Sequence, residues 1–255
     1  MKFNNLVILL VCALLLAGCQ GGAKKVDDAK QIKRAKLHYQ IGLDALHKNQ
    51  MPKAFEELML SDKLNPNQPK VLDLLAHAWR LRGDFNKSES YYIRAIQYGG
   101  GPASLNNYGN LLIKLGRYSE AETRLRKALE DPRYPNQFMA HMNLGDALLG
   151  LKKFDDAIDS YRQAKALNPR QSLSRIKEAE AYVASGRLNY AHALYETMLR
   201  ENPKNRAVVE GLVKILILQK KFSTARTQLS KFREASVSEL DRAWAADELD
   251  RLNRL

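Results

Sequence analysis

Apolar residues recur through this chain at helical spacing, and a small residue keeps a slower beat above them. Ala54, Ser88, Ala121, Ala157, Ala191 and Ala225 follow one another at intervals of 34, 33, 36, 34 and 34 residues. Twelve positions before each stands Gly42, Ala76, Gly109, Gly145, Ala179 or Val213, and four after it Leu58, Tyr92, Leu125, Tyr161, Tyr195 or Leu229. Seven after it come Ser61, Ala95, Ala128, Ala164, Met198 and Phe232. Small residues at the first of these positions imply two helices approaching closely, with the large side chains filling the space left over. Pro66, Gly100, Pro169 and Pro203 stand twelve residues past the beat, with Pro132 one residue early in the third frame. Each breaks the helix before it. The pattern predicts six helical hairpins over 33–235.

A period near 34 residues with several positions in register resembles the tetratricopeptide repeat. The fold this implies is all-α, a right-handed solenoid of six tetratricopeptide-type hairpins, one structural domain because each repeat buries its core on its neighbours. Residues 236–255 carry Leu240, Trp244, Leu249 and Leu252 at helical spacing with Ser238 as N-cap, which predicts a capping helix over the end of the array. The loop Asp131-Pro132-Arg133-Tyr134-Pro135-Asn136 is longer than the period requires, and its prolines stiffen it.

The front of the chain has a different character. Lys2 precedes an apolar run from Leu6 to Leu16, followed by Leu16-Ala17-Gly18-Cys19. The run is too short to span a bilayer and ends in residues that admit a peptidase, so 1–18 reads as a signal peptide. The motif resembles the bacterial lipobox, which implies acylation of Cys19 as a new N-terminus. Because each buried methylene contributes about 0.8 kcal/mol, several acyl chains would anchor the chain durably. Gln20 at the next position favours the outer membrane under the usual sorting pattern, with the repeats on its periplasmic face. Residues 19–32, small and charged without an apolar period, read as lipidated cysteine and flexible tether. Cys12 would be removed and Cys19 acylated, which leaves no thiol for a disulfide, a metal site or a nucleophile.

A narrower resemblance rests on Leu105-Asn106-Asn107-Tyr108-Gly109, Gly116-Arg117-Tyr118, Glu120-Ala121, Asp131, Tyr134-Pro135 and Asn143-Leu144-Gly145. These residues resemble the central repeats of the type IV pilus biogenesis lipoproteins, the PilF/PilW family. The resemblance implies a pilotin, a lipoprotein that binds the pilus secretin and promotes its outer-membrane localisation and multimerisation. A scaffold for cell-wall synthesis enzymes or for β-barrel assembly is the alternative.

First helices of stacked repeats line a groove, and residues one turn apart on them face it. The candidates are Tyr39, Leu43 and Leu46 in the first repeat and Asp73, His77 and Arg80 in the second. The third and fourth contribute Asn106, Asn107, Asn110, Met142, Asn143 and Asp146. Asn107 and Asn143 share a frame position, so their amides suit the backbone of an extended peptide, although they serve equally within their own hairpins. Tyr39, Leu43 and Leu46 form either a binding patch or core packing. No enzyme, cofactor or metal site is expected: the histidines at 38, 47, 77, 141 and 192 have no ligand spacing, and no nucleophile elbow or phosphate loop is present. The net charge of +13 would suggest nucleic acid in a cytosolic protein, but behind a lipobox it points to anionic envelope components, an acidic partner, or simply solvated helix faces.

Overall fold

The computed structural model describes residues 28–254 and, among them, thirteen helices and no strands. α1 occupies 28–47, followed by α2 (Met51–Leu64), α3 (Pro69–Leu81), α4 (Phe85–Gln97), α5 (Gly101–Lys114) and α6 (Tyr118–Leu129). Then come α7 (Gln137–Gly150), α8 (Phe154–Leu167), α9 (Ser172–Ala184), α10 (Leu188–Glu201), α11 (Arg206–Leu218), α12 (Phe222–Ala235) and α13 (Glu239–Asn253). These are six antiparallel pairs and a final helix. The signal peptide, Cys19 and most of the tether lie outside the described residues. The tether does not run to residue 32, because α1 is already helical at 28.

The residues fall into two compact units, one ending at Tyr108 and the other beginning at Gly109 within α5. One domain over 33–235 is what the period alone suggests. In a repeat array each hairpin packs on its sequence neighbours and little else, so no single centre holds the whole together.

Small and large positions meet as the frame requires. A Cβ on Gly42 would lie 2.7 Å from Leu58 Cγ, and one on Gly109 would lie 2.6 Å from Leu125 Cγ. On Gly145 it would lie 2.6 Å from Tyr161 Cδ1. Ala54, Ala121, Ala157, Ala191 and Ala225 are fully buried, as is Ser88. In the first unit the core is Phe55, Leu58, Val71, Leu75, Ala78 and Trp79, with the Phe55 and Trp79 rings 4.5 Å apart.

The helix breaks follow from backbone chemistry. Asn65, Asn168 and Asn202 precede Pro66, Pro169 and Pro203, and their φ values of −140, −140 and −144° take each chain out of the α region. Proline disfavours the helical conformation in the residue before it. Inside each hairpin the turn needs a left-handed residue five before the beat: Asn49, Gly83, Gly116, Lys152, Gly186 and Lys220 all have positive φ. At Lys152 and Lys220 a side chain occupies a conformation that glycine adopts freely. Lys152→Gly is therefore expected to stabilise the protein by about 0.5–1 kcal/mol, the left-handed strain less the extra unfolded-state entropy of glycine. An unchanged or lowered denaturation midpoint would show that the Lys152 side chain supports the turn.

In the second unit the long loop is closed by its own residues. Tyr134 is buried, its backbone N–H bonds the Asp131 carbonyl at 3.1 Å, and Gln137 Nε2 donates to the Pro132 carbonyl at 2.8 Å. The final helix forms as expected, with Ser238 Oγ accepting from Asp241 N at 3.3 Å. It packs on α12 through a Trp244–Phe232 edge contact at 5.7 Å and through buried Ala245 and Leu252. Leu240 departs from the expectation: it is 79% exposed, although its neighbour Asp241 meets Arg206 of α11 at 3.5 Å.

Candidate partner-binding surface

The position directly after each small first-helix residue is occupied by Leu43, His77, Asn110, Asp146, Glu180 and Lys214. Helical geometry places this position one step around from the close contact, so the side chain leaves the hairpin interior. All six are half-buried or exposed. The character of the row changes along the chain from apolar to charged.

In the first unit, Tyr39 and Leu46 are half-buried against the Phe55–Trp79 cluster, and Leu43 is also half-buried. Tyr39 lines a cleft of about 250 Å³ with Ile32, Ala35, Lys36 and Val71. Next to it α3 presents Asp73, His77 and Arg80 along one face. Arg80 Nη2 stands 3.1 Å from His77 Nδ1. A guanidinium can only donate, so Nδ1 accepts and the ring is neutral with its proton on Nε2. Burial, reinforced by the Arg80 charge, accordingly holds the His77 pKa below the usual value. Burial also pushes the Tyr92 phenol up to about 12.

Asp73 is the most perturbed carboxyl on this face. Burial raises its pKa to about 6 against the opposing effect of Ser104, whose hydroxyl lies 2.7 Å from Oδ2, and Oδ1 is buried without a partner. The Ser104 hydroxyl is also 2.9 Å from the Gly100 carbonyl and has one proton for two acceptors. A protonated Asp73 resolves the conflict by donating to Ser104. A carboxyl with a higher pKa folded than unfolded opposes folding once ionised. The penalty is absent below 3.8, grows from there to about 6, and is complete above. Asp73→Asn is thus expected to raise the melting temperature at neutral pH, with the gain vanishing below about pH 4. A gain equal at both pH values would contradict the burial of the charge.

Asn106 is buried and Asn107 exposed. In the second unit Asn110 Nδ2 donates to Oδ1 of the buried Asn143 at 3.3 Å, and Met142 is buried. Asp146 accepts from the Tyr161 hydroxyl at 2.8 Å and faces Lys177 Nζ at 3.5 Å, and Lys177 also reaches Glu180 at 3.2 Å. The candidates from sequence end at Asp146. The continuation through Lys177, Glu180, Glu210 and Lys214 was available from the same frame counted two repeats further.

The family assignment comes from comparison. Two tetratricopeptide-repeat models match, one over residues 107–172 and the other over 182–246, and together they take in just over half of the chain. The chain is a tetratricopeptide-repeat protein. Tetratricopeptide proteins mediate protein–protein interaction, in keeping with a surface of exposed first-helix side chains. The solved structure of PilF from Pseudomonas aeruginosa is 20% identical, with a TM-score of 0.68 over 86% of this chain and 99% of that one. PilW, described as a widely conserved type IV pilus biogenesis factor, is 18% identical, with a TM-score of 0.72 over 82% and 97%. These likenesses show the same all-helical tetratricopeptide fold. Among curated proteins, cellulose synthase operon protein C of Pseudomonas fluorescens is 28% identical over 193 residues, 71% of this chain and 15% of that protein. The tetratricopeptide chain therefore spans a small part of that relative's length. No described helix is long and apolar enough to cross a membrane.

Proposed function

We propose that this tetratricopeptide protein is a type IV pilus biogenesis lipoprotein that acts as a pilotin. It would be held on the periplasmic face of the outer membrane by acylated Cys19, and it would bind secretin subunits so that they reach that membrane and multimerise. Its work is binding and not chemistry. The observation that carries the reading is end-to-end correspondence: 86% of this chain aligns with 99% of PilF, and 82% with 97% of PilW. The cellulose synthase operon relative, by contrast, is matched over only 15% of its length. The sequence Leu16-Ala17-Gly18-Cys19 supports the anchor, and half-buried Tyr39, Leu43 and Leu46 supply an apolar patch for an outer-membrane client.

The test is affinity purification from detergent-solubilised envelopes after crosslinking, from cells carrying the native chain and the Cys19→Ser variant. The pilotin reading expects secretin with the native protein, and palmitate labelling lost in the variant. Recovery of a murein synthase or a barrel-assembly protein without secretin would replace it with the scaffold reading.

A further inference from the structure

Tyrosine stands four residues after the beat in repeats two, four and five, and each hydroxyl extends past its hairpin toward the first helix. Tyr161 gives its hydroxyl to Asp146 at 2.8 Å. The equivalent residue in repeat five, Tyr195, is 2% exposed and its hydroxyl makes no hydrogen bond among the described residues. Its natural acceptor by frame, Glu180, is turned to Lys177 at 3.2 Å. The ring is buried, but the hydroxyl reaches the surface, where a partner's polar group can meet it.

Tyr195 opens into a cleft of about 280 Å³ between α9, α10 and α11. Gly211 makes that opening possible, since a Cβ there would sit 2.6 Å from the Tyr195 hydroxyl. Ile176, Val183 and Ala207 give the cleft aliphatic walls, and Glu180 and Glu210 stand at its mouth with Lys214. Glu210 is exposed and its carboxylate forms no ion pair among the described residues. Burial, with the added fields of Glu180 and Glu210, holds the Tyr195 phenol well above its ordinary pKa, so it remains a neutral hydroxyl at all physiological pH. Lys177 already neutralises Glu180 at 3.2 Å, so in a chain of net charge +13 the carboxylate this cleft leaves without an ion pair is that of Glu210.

We propose that the cleft is a binding site for a cationic side chain, lysine or arginine, presented by an extended segment of a partner protein. The stem of that side chain lies along Ile176, Val183 and Ala207, as long basic side chains do on apolar surface. Its N–H groups donate to the Tyr195 hydroxyl and to the carboxylates of Glu210 and Glu180. Lys214 is left to meet an acidic residue or a carbonyl next to it. The site lies in repeats five and six and does not depend on which protein supplies the segment.

The test uses the full-length protein in detergent and fluorescence anisotropy of three labelled alanine-based peptides whose central residue is lysine, norleucine or glutamate. The lysine peptide should bind about tenfold more tightly than the norleucine peptide, the value of a charge-assisted hydrogen bond in a partly screened site. Glu210→Gln, at an exposed position where folding is not at issue, should weaken the lysine peptide about fivefold, and Tyr195→Phe about threefold. Glu210→Lys should shift preference toward the glutamate peptide. Equal affinity for lysine and norleucine, indifference to Glu210→Gln, preference of the native protein for glutamate, or no binding of any peptide would each overturn the proposal.

Discussion

Replacing Gly145 with valine is expected to lower the unfolding free energy by about 3 kcal/mol, the upper part of the range for overpacking a core. The ring that a new side chain would strike belongs to Tyr161, which is fully buried and whose hydroxyl is tied to Asp146 at 2.8 Å. Neither end of the ring is free to retreat, so α7 and α8 must separate. Gly150 provides the control: a Cβ there would lie 2.5 Å from Tyr118 Cδ1, but that ring is only half-buried and can swing outward. Gly150→Val should cost less than about 1 kcal/mol. Equal shifts in denaturation midpoint for the two variants would mean that the Gly145–Tyr161 contact does not set the spacing of the hairpin.

Arg162→Met should be similarly damaging, by about 2–3 kcal/mol, because it strands the buried carboxylate of Glu178. The Glu178 side chain is 7% exposed, and Arg162 Nε donates to it at 2.9 Å while Nη2 donates to the Tyr182 hydroxyl at 2.6 Å. Half of the Arg162 side chain faces water, and this screening keeps the cost below the range for a fully enclosed pair. Adding Glu178→Gln to the arginine variant should recover much of the loss, since the uncompensated charge and not the missing contact carries most of it. If the double variant is as unstable as the single one, packing by the arginine stem is the larger effect.

Sequence made the hairpins legible because their packing rests on size alone. Gly42 opposite Leu58 and Gly145 opposite Tyr161 are complementary volumes at fixed spacing, as close packing requires. The start of α1 was hidden for the opposite reason. Its first turns, from 28 to 34, are exposed on every side, so no apolar period marks them and the helix extends outward from the packed part at Ala35. Lys152 and Lys220 were equally silent, since their left-handed backbone is imposed by the turn and not by any preference of lysine. Leu240 shows that spacing reports the face of a helix but not whether another element reaches it.

The candidate surface was legible only as positions. Counting along the frame located Asn110, Asn143 and Asp146, but the roles separated in three dimensions: Asn143 is buried under a bond from Asn110, while Asp146 is shared between Tyr161 and Lys177. The unpaired state of Tyr195 has no sequence signature. It depends on Glu180 turning to Lys177 and on Gly211 leaving room, two choices made by neighbouring helices.

The pilotin reading is tested most directly by the state of the secretin in a strain lacking this chain. Outer-membrane fractions are resolved without boiling, and secretin is detected as heat-resistant multimer or as monomer. The account predicts that secretin is still made but is largely monomeric or found in the inner membrane, and that the native gene restores the multimer while Cys19→Ser does not. Normal amounts of multimer in the outer membrane of the deletion strain would contradict it.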